Sequence, residues 1–169
     1  MGIDPGNDFE TDTDPGRVRT DVDPDRVRRH AYPAGVPPSG MLTDIARTDV
    51  LTAAPDTTVD EAVAAMRTRG RSLVVVLDEQ HPLGLLSAAD VGLAVGTDDL
   101  PTRPVSDLVD DPVTIRERAS RSGLLSRFRE TAAERVVVVD DGEEFVGVVS
   151  RRDLLATYAD EFETLFALF

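Results

Sequence analysis

The sequence has no cysteine, no lysine and no tryptophan, and only two histidines. Without cysteine there can be no disulfide, no thiolate nucleophile and no cysteine-based zinc site. His30 and His81 stand far apart in the chain, and a single imidazole with no second one nearby makes a poor metal site. Long apolar runs are absent too: nothing approaches the roughly 18 residues that crossing a bilayer requires. The opening MGIDPGNDFETD has no apolar stretch of the kind a secretory signal needs. Gly6 stands where a myristoylation signal needs Ser or Thr. These absences predict a cytoplasmic protein.

Positive charge is also scarce. The 18 basic residues, all arginine, face 22 aspartates and 10 glutamates, for a net charge of −14. Such a balance argues against general binding to nucleic acid or to anionic membranes. An aspartate-rich surface of this kind resembles that of proteins from cytosols with molar salt. There the Debye length falls to about 3 Å and self-repulsion between exposed carboxylates is screened. A GC-rich genome explains arginine in place of lysine equally well.

What is present is enough for one compact domain or two small halves: 169 residues, 41% of them apolar. Residues 1–40 hold six prolines and five glycines and read as a mobile tail. Within them Asp14-Pro15-Gly16-Arg17-Val18-Arg19 and Asp23-Pro24-Asp25-Arg26-Val27-Arg28 are near copies. Asp-Pro is a helix start, so a short helix is predicted over 24–31. The Arg-Val-Arg pairs would suit a docking arm.

From Met41 the chain repeats itself. Val74-Val75-Val76-Leu77-Asp78 lies over Val136-Val137-Val138-Val139-Asp140, and Gly84, Ser87 and Asp90 lie over Gly147, Ser150 and Asp153. Each copy predicts the same elements. A short helix opens on Thr43 or Ser106 as cap, and a strand follows near 50–53 or 113–115. Next comes an amphipathic helix near 58–69 or 119–132. Thr58 and Glu61 form a capping box for the first of these, and Val59, Ala62, Val63 and Met66 recur at helical spacing. The β-branched run that follows predicts a strand buried on both faces. Asp141-Gly142 signals a hairpin in the second copy. The third strand then runs through Ser-x-x-Asp into a last helix.

This duplicated β-α-β-β-α order, with Gly-h-h-Ser-x-x-Asp (h apolar) ending each third strand, resembles a tandem CBS domain pair, the Bateman module. The resemblance covers roughly 41–160 and rests on the ordered set occurring twice, because no single motif is specific. It implies an α/β fold with mixed sheets, as two repeats packed about a pseudo-two-fold axis: 41–100 and 101–160, with 161–169 as a C-terminal helix extension. It also implies clefts between the repeats that bind an adenosyl compound (AMP, ADP, ATP or S-adenosylmethionine), with Mg²⁺ only beside a polyphosphate. On that resemblance Asp90 and Asp153 hold the ribose, with Ser87 and Ser150 beside them. Backbone at Thr52, Ala53, Thr114 and Ile115 holds the adenine.

The chemistry of GVVSRRD suits such a role. A carboxylate only accepts hydrogen bonds and can take two vicinal hydroxyls. The free N–H groups of a helix start favour phosphate. The glycine lets backbone approach a neighbour or a ligand closely. Ser-x-x-Asp is equally a helix cap, and a duplicated fold duplicates its caps whether or not a ligand binds. The copies also differ. Arg151 and Arg152 fill the second Ser-x-x-Asp where Ala88 and Ala89 fill the first, and Arg135 precedes the second valine run where Leu73 precedes the first. Guanidinium suits bidentate phosphate contact, which makes the second half-site the better phosphate reader.

Leu155, Tyr158, Phe162, Leu165, Phe166 and Phe169 form a C-terminal apolar stripe that needs a cover, with self-association as a homodimer the first choice. No nucleophile–base pair, P-loop or metal cluster is legible, so no enzyme is predicted. The expected function is a regulatory module that senses an adenosyl ligand and signals to an effector protein. The alternative is a structural dimerisation module with vacant clefts.

Overall fold

A computed structural model of the chain describes residues 27–30 and 42–166, with the side chains of 42–159. The elements run β1 (Val27–His30), β2 (Val50–Ala53), α1 (Val59–Thr68), β3 (Leu73–Asp78), β4 (His81–Ser87) and α2 (Ala88–Ala94). The second series is β5 (Thr114–Arg116), α3 (Arg121–Thr131), β6 (Arg135–Val139), β7 (Phe145–Ser150) and α4 (Arg151–Phe166). One sheet has the order β1-β2-β3-β4 and the other β5-β6-β7. In each, the first strand of the repeat pairs parallel to the valine strand, and the third pairs antiparallel to it.

The valine runs organise the packing because side chains alternate faces along a strand. Val74 and Val76 point into a core with Val59, Ala62, Ala65 and Met66 of α1. Val136 and Val138 point into a second core with Leu124 and Phe128 of α3 and Leu154 of α4. The alternate residues Val75, Leu77, Val137 and Val139 meet in a third cluster, with Phe145 and Val148, where the two sheets face each other. Burial on both faces is thus what the continuous runs encode. Thr58 caps α1 as expected: the Glu61 N–H donates to its hydroxyl oxygen (3.3 Å), and its own N–H donates to Glu61 Oε2 (2.9 Å).

The lead-in segments exchange partners. Leu42, Ile45 and Ala46 precede the first repeat yet pack into the core of the second. Leu100, Val105, Leu108 and Val109 precede the second repeat yet pack into the core of the first. The crossing of chains explains the paired glycines. A Cβ at Gly84 would stand 2.5 Å from Val109 Cβ, and one at Gly147 would stand 3.0 Å from the Arg47 carbonyl oxygen. Each glycine clears the path of the other repeat's lead-in.

Several local expectations are corrected. Residues 27–30 of the predicted 24–31 helix form an edge strand antiparallel to β2, whose open backbone groups they satisfy. The rest of 1–40, including its mobile-tail and docking-arm readings, lies outside the described residues apart from this strand. Thr43 is no cap: it is buried within the 3₁₀ turn Leu42–Asp44, because packing of the lead-in against the second core decides its place. Ser106 likewise sits inside a 3₁₀ turn, Val105–Leu108, that starts at Pro104 without a side-chain cap. In the β6–β7 turn the left-handed residue is Glu143 (φ 67°), not Gly142. There Asp140 Oδ1 accepts from the N–H groups of Gly142 and Glu144 and shapes the loop. On α4 the residues facing the core are Leu154 and Tyr158, while Leu155 is 64% exposed. Phe162, Leu165 and Phe166 lie where side chains are not described, and Phe169 lies outside the described residues.

Candidate functional site

The end of β7 and the start of α4 build the site. Ser150 is extended strand and Arg151 begins the helix, so the first N–H groups of α4 need acceptors. Asp153 and Ser150 supply them reciprocally. The Ser150 N–H and hydroxyl donate to Asp153 Oδ2 (3.0 and 2.6 Å), and the Asp153 N–H donates back to Ser150 Oγ (3.1 Å). Ser87 and Asp90 repeat the arrangement at α2 with distances of 2.8, 2.6 and 3.2 Å. Both predicted ribose carboxylates therefore cap their own helices.

The surroundings separate them. Asp153 lies on the wall of a cleft of about 600 Å³ that runs between the repeats, from Arg47, Asp49 and Arg71 on one side to Glu134, Arg135 and Arg152 on the other. Neither Ser87 nor Asp90 lines this cleft. Within it Asp153 Oδ1 accepts from Arg47 Nε (3.2 Å) and Nη2 (2.9 Å). Arg47 belongs to the first repeat's lead-in, where its N–H and carbonyl pair with Val148 of β7 (2.8 and 3.1 Å). Partial burial pushes the Asp153 carboxyl upward. Bonds from the Ser150 hydroxyl, Arg47 and the Ser150 amide, together with the Arg47 charge, outweigh that, so it titrates below the ordinary carboxylate range.

Of the predicted phosphate readers, Arg135 and Arg152 line the cleft, and among the described residues neither guanidinium group has a hydrogen-bond or ion-pair partner. Arg151 lines it too, but its guanidinium donates to the carbonyls of Ala133 (2.8 Å) and Phe128 (2.7 Å). These close the C-terminal end of α3, and the group lies 5.8 Å from the Phe128 ring. That is structural work at a helix C-terminus, where orphan carbonyls attract cations. The four predicted adenine contacts are not gathered in this cleft. Ala53 is buried in the first core and Thr52 is half-buried beside it, while their neighbours Val50 and Leu51 line the cleft. Thr114 and Ile115 line a separate cavity of about 590 Å³ with His81, Arg116 and Arg127. Sequence reasoning missed Arg47 altogether. Its signal is faint: it stands 63 positions before Asp110 in the repeat register, and only the exchange of lead-ins brings it to α4.

Among the described residues no group of three His, Asp or Glu side chains is placed to hold a metal ion, and no helix is long and apolar enough to cross a membrane.

Two β-α-β-β-α repeats facing each other through their sheets, with a polar cleft at the seam, define a class of paired-repeat modules. The CBS domain pattern matches residues 42–95 and 105–160, and the chain belongs to the CBS domain family. An uncharacterized protein of Methanopyrus kandleri is 28% identical over 119 residues, 66% of this chain and 59% of the relative. The inosine-5'-monophosphate dehydrogenase of Halobacterium salinarum is 35% identical over 115 residues, covering 66% of this chain and 22% of the enzyme. The chain thus spans little more than half the length of the first relative and about a fifth of the second. Among solved structures, the CBS domain of a bacterial CNNM/CorC family Mg²⁺ transporter in complex with ATP superposes with a TM-score of 0.61. It is 23% identical, over 68% of this chain and 84% of that one. A Pyrobaculum aerophilum CBS domain protein complexed with AMP gives 0.59 at 22% identity, over 67% and 88%. At these identities the likeness concerns the fold.

Proposed function

We propose that the protein is a regulatory module that binds an adenosyl ligand in the cleft beside Asp153 and transmits a change of shape to a partner protein. The observation that carries this reading is the cleft itself. It places an ionised carboxylate and two arginines, Arg135 and Arg152, whose guanidinium groups have no partner among the described residues, around one hollow between the repeats. A carboxylate suits a ribose diol and arginines suit phosphate. That structural neighbours were solved with ATP and AMP supports the ligand class. The cleft is walled by both repeats, so a ligand that prefers one inter-repeat angle shifts the population toward it. Mg²⁺ would enter only with a polyphosphate ligand.

The test is thermal denaturation of the full chain with AMP, ADP, ATP and S-adenosylmethionine. A ligand at 100 times its dissociation constant adds about 2.7 kcal/mol of stability, which is a readable shift. No shift with any of the four overturns the proposal. The competing reading, a structural dimerisation module, draws on the exposed Leu93, Val95 and Leu155. Sedimentation of the unliganded chain as a stable dimer, with no ligand shift, would select it.

A further inference from the structure

Resting on the ligand reading above, we infer that Arg47 is a specificity-determining residue that makes the cleft accept phosphorylated nucleosides over uncharged or cationic adenosyl compounds. The argument starts from the two oxygens of Asp153. Oδ2 is committed to the helix cap by the Ser150 N–H and hydroxyl. Among the described residues Oδ1 is held only by Arg47. A ribose diol can therefore be gripped only at Oδ1, and gripping it displaces the guanidinium.

The displaced side chain stays anchored at the edge of the cleft. Its backbone is pinned to β7 by both hydrogen bonds to Val148, while the side chain itself is 64% exposed and free to swing. It joins Arg135 and Arg152 in the same hollow. A ligand that carries phosphate supplies an anion to replace the one Arg47 lost, with charge-assisted bonds stronger than neutral ones. Adenosine takes the carboxylate oxygen and returns nothing. S-adenosylmethionine, with a sulfonium and an ammonium against one carboxylate, brings net positive charge into a cleft lined by Arg47, Arg71, Arg135, Arg151 and Arg152. Arg47 and Asp153 come from different repeats, and ligand binding exchanges the contact between them for contacts of each with the ligand.

Calorimetric titration of the full chain with AMP, adenosine and S-adenosylmethionine tests this, on wild type, Arg47→Ala and Arg47→Lys. Wild type should bind AMP at least about tenfold more tightly than the other two, a margin of about 1.4 kcal/mol. Arg47→Ala should weaken AMP and leave adenosine unchanged or tighter, so that the preference collapses, and Arg47→Lys should retain part of it. An AMP-to-adenosine ratio within about twofold of wild type in Arg47→Ala overturns the inference. So does an equal loss for both ligands, which is the mark of a structural role, with a melting temperature recorded alongside to expose any unfolding. Binding that is insensitive to Arg47 sinks this inference alone. Absence of binding by wild type to all three ligands sinks the ligand reading and this inference with it.

Discussion

Ser87–Asp90 and Ser150–Asp153 are one device in two settings. Their internal hydrogen bonds agree to within 0.2 Å, as expected of capping chemistry set by local spacing. The difference comes from across the molecule. Opposite Gly147 the lead-in presents Arg47, which reaches Asp153. Opposite Gly84 the lead-in presents Val109 and Asp110, so an acidic residue occupies the register position of the arginine. Ser150 and Asp153 line the cleft between the repeats, and Ser87 and Asp90 do not. A repeated motif therefore reports a repeated fold, and the residue delivered from the other repeat sets the surroundings of each copy.

The sharpest way to break this comparison is to truncate each carboxylate. Asp153→Ala should weaken nucleotide binding by about 30-fold or more, since losing one partner of a hydrogen-bonded charged contact costs about 2 kcal/mol or more. Asp90→Ala should leave affinity within about twofold. Equal losses in calorimetry would abolish the asymmetry. A smaller effect, on stability, concerns the glycines. Gly84→Ala would force a Cβ to within 2.5 Å of Val109, whereas Gly147→Ala meets its nearest atom at 3.0 Å. Overpacking costs about 1–3 kcal/mol, so the denaturant midpoint should fall further for Gly84→Ala. The reverse order would mean that the crossing at Gly147 is the tighter of the two.

The smallest effect is on pH dependence. Folding lowers the Asp153 pKa. Its contribution to stability is therefore complete above the unfolded carboxyl value of about 3.9 and is lost as pH falls through the lower folded value. Arg47 is mostly exposed, so the ion pair contributes well under about 1 kcal/mol. The stability gap between wild type and Asp153→Asn should be flat near neutrality and shrink below about pH 4. A gap that widens on acidification would contradict the direction of the shift. Asp90 caps its helix with no arginine partner among the described residues, and Asp90→Asn serves as the matched control.

Much of the fold is legible along the chain. The valine runs at 74–76 and 136–139, the Thr58–Glu61 box and both Ser-x-x-Asp boxes act through neighbours two to four residues away, so spacing alone reveals them. The lead-ins are not legible in this way. Thr43 has the composition of a cap and is instead buried, because Leu42 beside it fills the core of a repeat about 80 residues downstream. Arg151 has the composition of a phosphate reader and instead closes α3, because the helix end happens to lie within reach of its guanidinium.

The sequence by itself determined the duplication, the strand and helix periods, and the two capped helix starts, all of which depend on short-range sterics and hydrogen bonding. Only the tertiary structure decided that the lead-ins trade cores, that Asp153 and not Asp90 lines the cleft between the repeats, and that Arg47 reaches Asp153 there. Those outcomes depend on which distant side chains the packing of two sheets brings together, and no local spacing encodes that.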